Sequence, residues 1–391
     1  MSDLKNKNLK DDTILTHVGR NPHKYDGIVN PPVFHASTVL APDLETFDNF
    51  HKKKISYAIH GTETTFALED AICALEHGAG AILAPSGLAA ISTVIMACVK
   101  TGDHVLITDN TYGPARRFMD QFMSKYGVEA DYFPPDAGAD IANYIKPNTT
   151  LIWTESPGSQ TFEICDITAI TKVAKENDII VAIDNTWSAG YYYKALDFGV
   201  DISVQAGTKY IVGHSDCMMG TIVCNEKTLK MVRQTWDLLG MCVSPDDTYL
   251  AMRGIRTMGT RLRQHNENGL KVANWLKSRP EVIKVMHPAL PDDPGHELWK
   301  RDFTGSSGLF GFVLKETARP ALARMLDNMT LFGMGFSWGG FESLLIPSDP
   351  TLNRSVTKWE AGGQTMRIHI GLEDVDDLIS DLDAGFARLK G

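Results

Sequence analysis

The feature that most constrains the fold is a repeated alternation between residues 62 and 224. Six short β-rich runs recur there, at Ala81-Ile82-Leu83, His104 to Ile107, Leu151-Ile152-Trp153, Ile179 to Asp184, Ile202-Ser203-Val204 and Thr221 to Cys224, with helical stretches between them. Strands alternating with helices pair in parallel, and a parallel sheet has to be covered on both faces. The sequence therefore predicts an α/β fold with a mostly parallel sheet and functional groups gathered at strand ends. One covering helix is legible after Thr64-Thr65, where Leu68, Ile72 and Leu75 fall at spacing i, i+4, i+7 and form one apolar stripe.

Beyond about Asp246 the pattern changes to long helical stretches, then to strands at Leu309 to Leu314 and Met366 to Ile370. A final helix follows, in which Val375, Leu378, Ile379, Leu382, Phe386 and Leu389 share one face. This reads as a smaller C-terminal α+β domain. The expected division is an arm at 1–61, a large domain at 62–250 and a small domain at 251–391.

The formal charge of -10 opposes non-specific binding to nucleic acid or to an anionic membrane, and the one basic block is the short Lys52-Lys53-Lys54. Met1 to Asp12 is polar, without the apolar core of a signal peptide, and no later run reaches the roughly 18 apolar residues of a membrane span. A cytoplasmic protein is expected. Six cysteines are scattered without a Cys-x-x-Cys pair. They predict buried reduced thiols, with neither disulfides nor a metal site.

Chemistry is suggested by Val204-Gln205-Ala206-Gly207-Thr208-Lys209-Tyr210, an apolar run that ends in a lysine 25 residues after the Asp184 of Ile183-Asp184-Asn185. A lysine desolvated at a strand end has a lowered pKa and is available as a neutral amine. A buried carboxylate can keep a pyridine nitrogen protonated. Together the two suggest pyridoxal phosphate. Taken singly, Lys209 reads as one of 38 basic residues on a solvated face and Asp184 as the start of a turn.

Further residues fit the same cofactor. Ala84-Pro85-Ser86-Gly87-Leu88 reads as a strand end, a tight turn and a helix start, which is a phosphate cradle when backbone N–H groups are free. Thr208 would add a hydroxyl to the same phosphate. Tyr112 lies just past a strand, where its ring could stack on a flat cofactor; a tyrosine packed in a surface turn is the alternative. Arg367 sits in an otherwise apolar strand and needs an anionic partner. A substrate α-carboxylate and a structural salt bridge both remain open for it.

In this order the motifs resemble the Cys/Met-metabolism family of pyridoxal-phosphate enzymes, with the aspartate aminotransferase type of fold. They are Tyr57 ahead of Gly61-Thr62, Pro85-Ser86-Gly87, Asp109 to Tyr112, Glu155-Ser156-Pro157-Gly158-Ser159, Ile183 to Thr186, Thr208 to Asp216 and Arg367 to Asp374. The likeness runs from about Thr13 to the C-terminal helix. Phe336-Ser337-Trp338-Gly339-Gly340 looks like the cystathionine β-lyase branch, since γ-lyases and γ-synthases usually carry a smaller aliphatic residue at Trp338.

The resemblance implies a set of roles. Lys209 would carry the cofactor and move the Cα proton, Asp184 would hold the pyridinium, and Tyr112 would stack on the ring. Ser86, Gly87, Leu88 and Thr208 would bind the phosphate, and Ser337, Trp338 and Arg367 the substrate carboxylate. Tyr57 would reach cofactor and substrate in a neighbouring subunit, within a homotetramer built from dimers. The implied reaction is α,β-elimination of L-cystathionine to homocysteine, pyruvate and ammonia, a step of methionine biosynthesis.

The sequence departs from that pattern at Tyr57-Ala58-Ile59-His60, where the family has Tyr-x-Arg and the arginine helps neutralise the phosphate. One lost charge-assisted contact is worth roughly 1.5 to 3 kcal/mol, or about one to two decades of cofactor affinity. His60 stands where related bacterial enzymes often place a second basic residue near the distal end of the substrate, and a neutral imidazole would grip a carboxylate less firmly. A less exacting enzyme follows, able to accept other β-substituted amino acids or to racemise alanine. The competing readings are γ-elimination or γ-replacement, a dedicated racemase, and a regulator that keeps the fold without turnover.

Overall fold

The computed structural model describes residues 9–390, so the first eight residues of the expected arm lie outside the described residues. Seven strands form the larger sheet: β1 (Gly80–Ala84), β2 (His104–Thr108), β3 (Glu129–Phe133), β4 (Thr149–Glu155), β5 (Ile180–Asp184), β6 (Ile202–Gln205) and β7 (Gly220–Cys224). Their order is β1-β7-β6-β5-β4-β2-β3. The strands from β6 to β3 pair in parallel, while β7 runs antiparallel to both β1 and β6. All six runs read from the sequence are strands. β3 was not among them.

Alternation along the strands sends side chains into separate cores. Ala81 and Leu83 of β1 pack with the helix Glu63–Leu75, which contributes Leu68, Ile72 and Leu75 as expected. Ile82 and Ala84 point the other way, onto the helix Gly87–Cys98. The helix Ile167–Glu176 covers the neighbouring part of the sheet, against Ile152, Val181 and Ile183. The helix Glu63–Leu75 starts at Thr62, whose backbone N–H donates to Thr65 Oγ1 at 3.2 Å, one half of a capping box.

The second sheet is antiparallel, in the order β10-β11-β9-β8, from β8 (Val282–Met286), β9 (Leu309–Lys315), β10 (Leu344–Pro347) and β11 (Gly363–His369). On β9, Phe310, Phe312 and Leu314 pack with the long helix Met258–Lys277 and the last helix Val375–Arg388. Leu309 and Val313 face the opposite way, into the core beside β4 and β5. That face points at the large sheet, and Arg367 stands on it, opposite Gly311 in the β9–β11 register. Among the described residues no helix is long and apolar enough to cross a membrane.

Candidate active site

Parallel strands carry their C-terminal ends to one edge of the sheet, and the chain places its chemistry there. Ser86 follows β1, Tyr112 follows β2, Glu155 ends β4, Asp184 ends β5 and Lys209 follows β6. The loop 335–340, from the small-sheet part of the chain, closes over this edge. Lys209 Nζ donates to Ser337 Oγ at 2.6 Å and lies 5.4 Å from the centre of the Trp338 ring.

Polar contacts from Arg367, His369 and Lys209 hold that loop. Arg367 Nη2 donates to Ser337 O at 3.1 Å, the Gly339 N–H donates to His369 Nε2 at 3.1 Å, and Ser337 meets Lys209. The backbone turns through left-handed conformations at Ser337, φ +77°, and Gly339, φ +86°. A Cβ on Gly339 would lie 3.0 Å from main-chain atoms of Lys209, so only glycine allows the approach.

Electrostatics prepare the lysine. Burial and then the Arg367 charge lower its pKa to about 8, against a smaller upward pull from Asp184. Burial likewise lowers Arg367, to about 10. Among the described residues Arg367 makes no ion pair with any carboxylate, and its hydrogen bonds go to backbone carbonyls, Ser337 O at 3.1 Å and Gly335 O at 3.5 Å. A half-buried guanidinium left in this state lacks the anion that would compensate it. The structural salt bridge is therefore absent, and the open position suits a substrate carboxylate.

Asp184 is buried, and burial pushes its carboxyl up despite hydrogen bonds from Thr186. Thr186 Oγ1 donates to Asp184 Oδ1 at 2.5 Å and accepts the Ala206 N–H at 2.9 Å, which ties the end of β5 to the turn before Lys209. Beside it, Glu155 Oε2 accepts the Tyr112 N–H at 2.6 Å. Tyr112 is 42% exposed, so its side chain is open for stacking. Asp109, three residues earlier, is fully buried and accepts from Arg116 and from the backbone and hydroxyls of Ser355 and Thr357. It thereby pins the loop between β10 and β11 next to the Tyr112 segment.

The turn read as a phosphate cradle opens a helix. Ser86 caps the helix Gly87–Cys98 by accepting the Ala89 N–H at 3.0 Å, and the N–H groups of Gly87 and Leu88 have no partner among the described residues. A Cβ on Gly87 would meet Ala206 Cβ at 2.7 Å, so this turn packs directly on the turn before Lys209. Thr208 differs from expectation. Its hydroxyl donates to Met219 O at 3.2 Å and accepts the Met219 N–H at 2.9 Å, which commits its one proton to the backbone and leaves none for a phosphate.

Tyr57 and His60 are not brought to Lys209 within one chain. Tyr57 is 49% exposed and bridges to Thr38. His60 Nδ1 lies 3.1 Å from Asp237 Oδ1, a partner the sequence did not indicate. Sequence reasoning gave no role to Thr186, Glu155, Asp109 or His369; the strand-end positions of the first three were the available signal.

The assembled groups fit pyridoxal phosphate: an amine with a lowered pKa, an exposed aromatic ring and, among the described residues, a buried carboxylate with no cation paired to it and free N–H groups at a helix start. A family model described as Cys/Met metabolism PLP-dependent enzyme matches residues 12–387. The cystathionine beta-lyase MetC of Escherichia coli (strain K12) is 47% identical over 388 residues, covering 97% of this chain and 98% of that protein. The L-alanine/L-glutamate racemase of Wolbachia pipientis wMel is 41% identical, again with 97% of this chain and 98% of that protein covered. The crystal structure of metB from Corynebacterium glutamicum matches with a TM-score of 0.91 at 29% identity, covering 98% of this chain and 99% of that one.

Proposed function

The chain belongs to the Cys/Met metabolism PLP-dependent enzymes, and on that premise we propose that it is a carbon-sulfur lyase that cleaves L-cystathionine by α,β-elimination. Homocysteine, pyruvate and ammonia are the products, a step of methionine biosynthesis. The observation that carries the reading is the uncompensated Arg367 guanidinium beside the depressed Lys209 amine, under a loop that bears Trp338. The 47% identity to a cystathionine β-lyase over nearly the full chain supports the choice of substrate.

Pyridoxal phosphate, carried on Lys209, supplies the electron sink that makes the substrate Cα–H bond acidic. Arg367 receives the substrate α-carboxylate, and its link to Ser337 O places that carboxylate next to the lysine. Lys209 Nζ moves the Cα proton; burial and the Arg367 charge keep it neutral above about pH 8. The Ser337 hydroxyl orients Nζ. Asp184 would hold the proton on the ring nitrogen, Tyr112 would cover one ring face, and Ser86 with the N–H groups of Gly87 and Leu88 would take the phosphate. Breaking the Cβ–S bond releases homocysteine, and water completes the conversion of the remaining three-carbon fragment to pyruvate and ammonia.

The same reading assigns 1–61 as an arm, 62–250 as the cofactor domain and 251–391 as the small domain, in a cytoplasmic homotetramer built from dimers. The half-exposed Tyr57 and the exposed apolar Leu40, Leu44 and Phe47 support a site completed by the arm of a second copy, with His60 carried along. Alanine racemisation is a second reading, supported by the relative of that activity and by Ile59-His60 in place of basic residues.

Product identification tests both. Purified, cofactor-loaded protein is incubated with L-cystathionine or L-alanine, and keto acid, thiol and D-amino acid are followed by mass spectrometry. Pyruvate with homocysteine is the expected result. 2-Oxobutyrate with cysteine would move the chain to γ-elimination, and D-alanine without keto acid to racemisation.

A further inference from the structure

Glu155 is a site carboxyl that the reaction above does not use. It ends β4 directly opposite Asp184 on β5, and paired positions on neighbouring strands send their side chains to the same face. Two carboxyls therefore stand side by side at the edge where the cofactor would lie. Their hydrogen bonding differs. Asp184 is tied to Thr186, whereas Glu155 Oε2 accepts the Tyr112 N–H at 2.6 Å and the Thr111 hydroxyl at 3.4 Å. Glu155 Oε1 has no hydrogen-bond partner among the described residues. No Lys or Arg is within ion-pair distance of either carboxyl among the described residues.

We propose, resting on the cofactor reading above, that Glu155 is a positioning residue that works as an uncharged acid: through the Tyr112 backbone it sets the phenol ring against the bound cofactor, and by staying protonated it leaves Asp184 as the one negative charge offered to the pyridine nitrogen. The reasoning is electrostatic. Two carboxylates in one poorly solvated site cannot both ionise, and the one matched to a cation ionises first. The pyridinium is Asp184's cation, so the proton stays on Glu155.

The groups facing Glu155 agree with this assignment. Burial, and after it the charge of Asp184 on β5, push the Glu155 carboxyl well up. The Tyr112 phenol is itself raised by burial and by both carboxyls. Cys165 Sγ lies 3.7 Å from Glu155 O, and burial keeps that thiol protonated. A second negative charge at Glu155 would attract the Lys209 proton and oppose the lowered amine pKa that the reaction needs. A neutral Glu155 avoids this while keeping its hold on Tyr112.

Full-length protein carrying Glu155→Gln, Glu155→Ala, Tyr112→Ala, or both alanine changes is titrated with pyridoxal phosphate. Cofactor dissociation constant and the visible circular-dichroism band of the bound cofactor are read. Glu155→Gln, uncharged and of the same shape, is expected within about twofold of wild type. Glu155→Ala should bind about five- to tenfold more weakly, the size of one hydrogen bond, with a diminished band. It should add nothing once Tyr112 is alanine. Glu155→Gln behaving like Glu155→Ala would show that the charge is required and overturn the proposal. So would an alanine effect that persists undiminished beside Tyr112→Ala. Wild-type protein that takes up no cofactor would remove the cofactor reading itself, a distinguishable failure.

Discussion

Replacing Gly339 by alanine puts the closure of the 335–340 loop to a quantitative test. The residue has φ +86°, where a Cβ costs roughly 1 to 2 kcal/mol. The added carbon would also lie 3.0 Å from the C, Cα and Cβ atoms of Lys209. Lys209 cannot step aside, because its N–H donates to Ala206 O at 3.0 Å and its carbonyl accepts the Gly213 N–H at 2.7 Å. The loop must lift instead. That separates Ser337 Oγ from Lys209 Nζ and moves Ser337 O away from Arg367, contacts of 2.6 and 3.1 Å.

The strain should lower stability by about 1 to 2 kcal/mol, read as a shift in the urea midpoint. Losing one hydrogen bond to a charged group should lower kcat/KM by roughly one to two decades, read as pyruvate formation from L-cystathionine. Gly335→Ala is the control, since its Cβ would meet only Leu344 Cδ2, at an ordinary 3.7 Å. A Gly339→Ala enzyme with the urea midpoint and kcat/KM of the wild type would refute the reasoning.

Arg367→Leu should cost about one to two decades of kcat/KM, mostly through KM, while thermal stability holds or rises because a half-buried charge without a carboxylate partner is removed; a fall in melting temperature with activity intact would restore the structural salt bridge. Ile59→Arg should tighten pyridoxal-phosphate binding by about one to two decades, and equilibrium titration showing no change would remove the arm from the phosphate site. Asp109→Asn should lose about 1.5 to 3 kcal/mol of stability at neutral pH. The hydrogen bonds to Asp109 outweigh its burial and hold its pKa at about 2, below the ordinary 3.8, so its contribution is complete above pH 3.8 and lost as pH falls through about 2. The gap between wild type and variant in urea denaturation should therefore narrow between pH 4 and pH 2.

The parts of the fold that could be read in advance are those in which local pattern and burial agree. β1, β2, β4, β5, β6 and β7 are buried along most of their length, so they appear as apolar runs. β3 is an edge strand containing Glu129 and Asp131, β8 is half-exposed with Lys284 at its centre, and β10, though apolar, is only four residues long and ends in Pro347. Lys209 and Asp184 were legible because they terminate such runs. Glu155 and Asp109 were not, since their roles depend on partners 43 and 248 positions away. The hydroxyl of Thr208 sits beside the lysine as anticipated, but its direction is decided by Met219, a residue no local pattern connects to it.

The insertion of β7 between β1 and β6 bears on how the chain is made. β1 pairs with no strand except β7, so its backbone donors and acceptors stay unmatched until residues 220–224 have left the ribosome. At the roughly 5 to 20 residues per second of synthesis, that exposure lasts on the order of ten seconds. Gly80 to Ala84 is then a bare apolar edge of the kind that recruits other nascent chains. The helix Glu63–Leu75 precedes it and can shelter one face early, but the hydrogen-bonding edge has no such cover. Chains stalled before residue 220 would therefore be the aggregation-prone products of this gene, and co-translational chaperones would have their greatest effect within that interval.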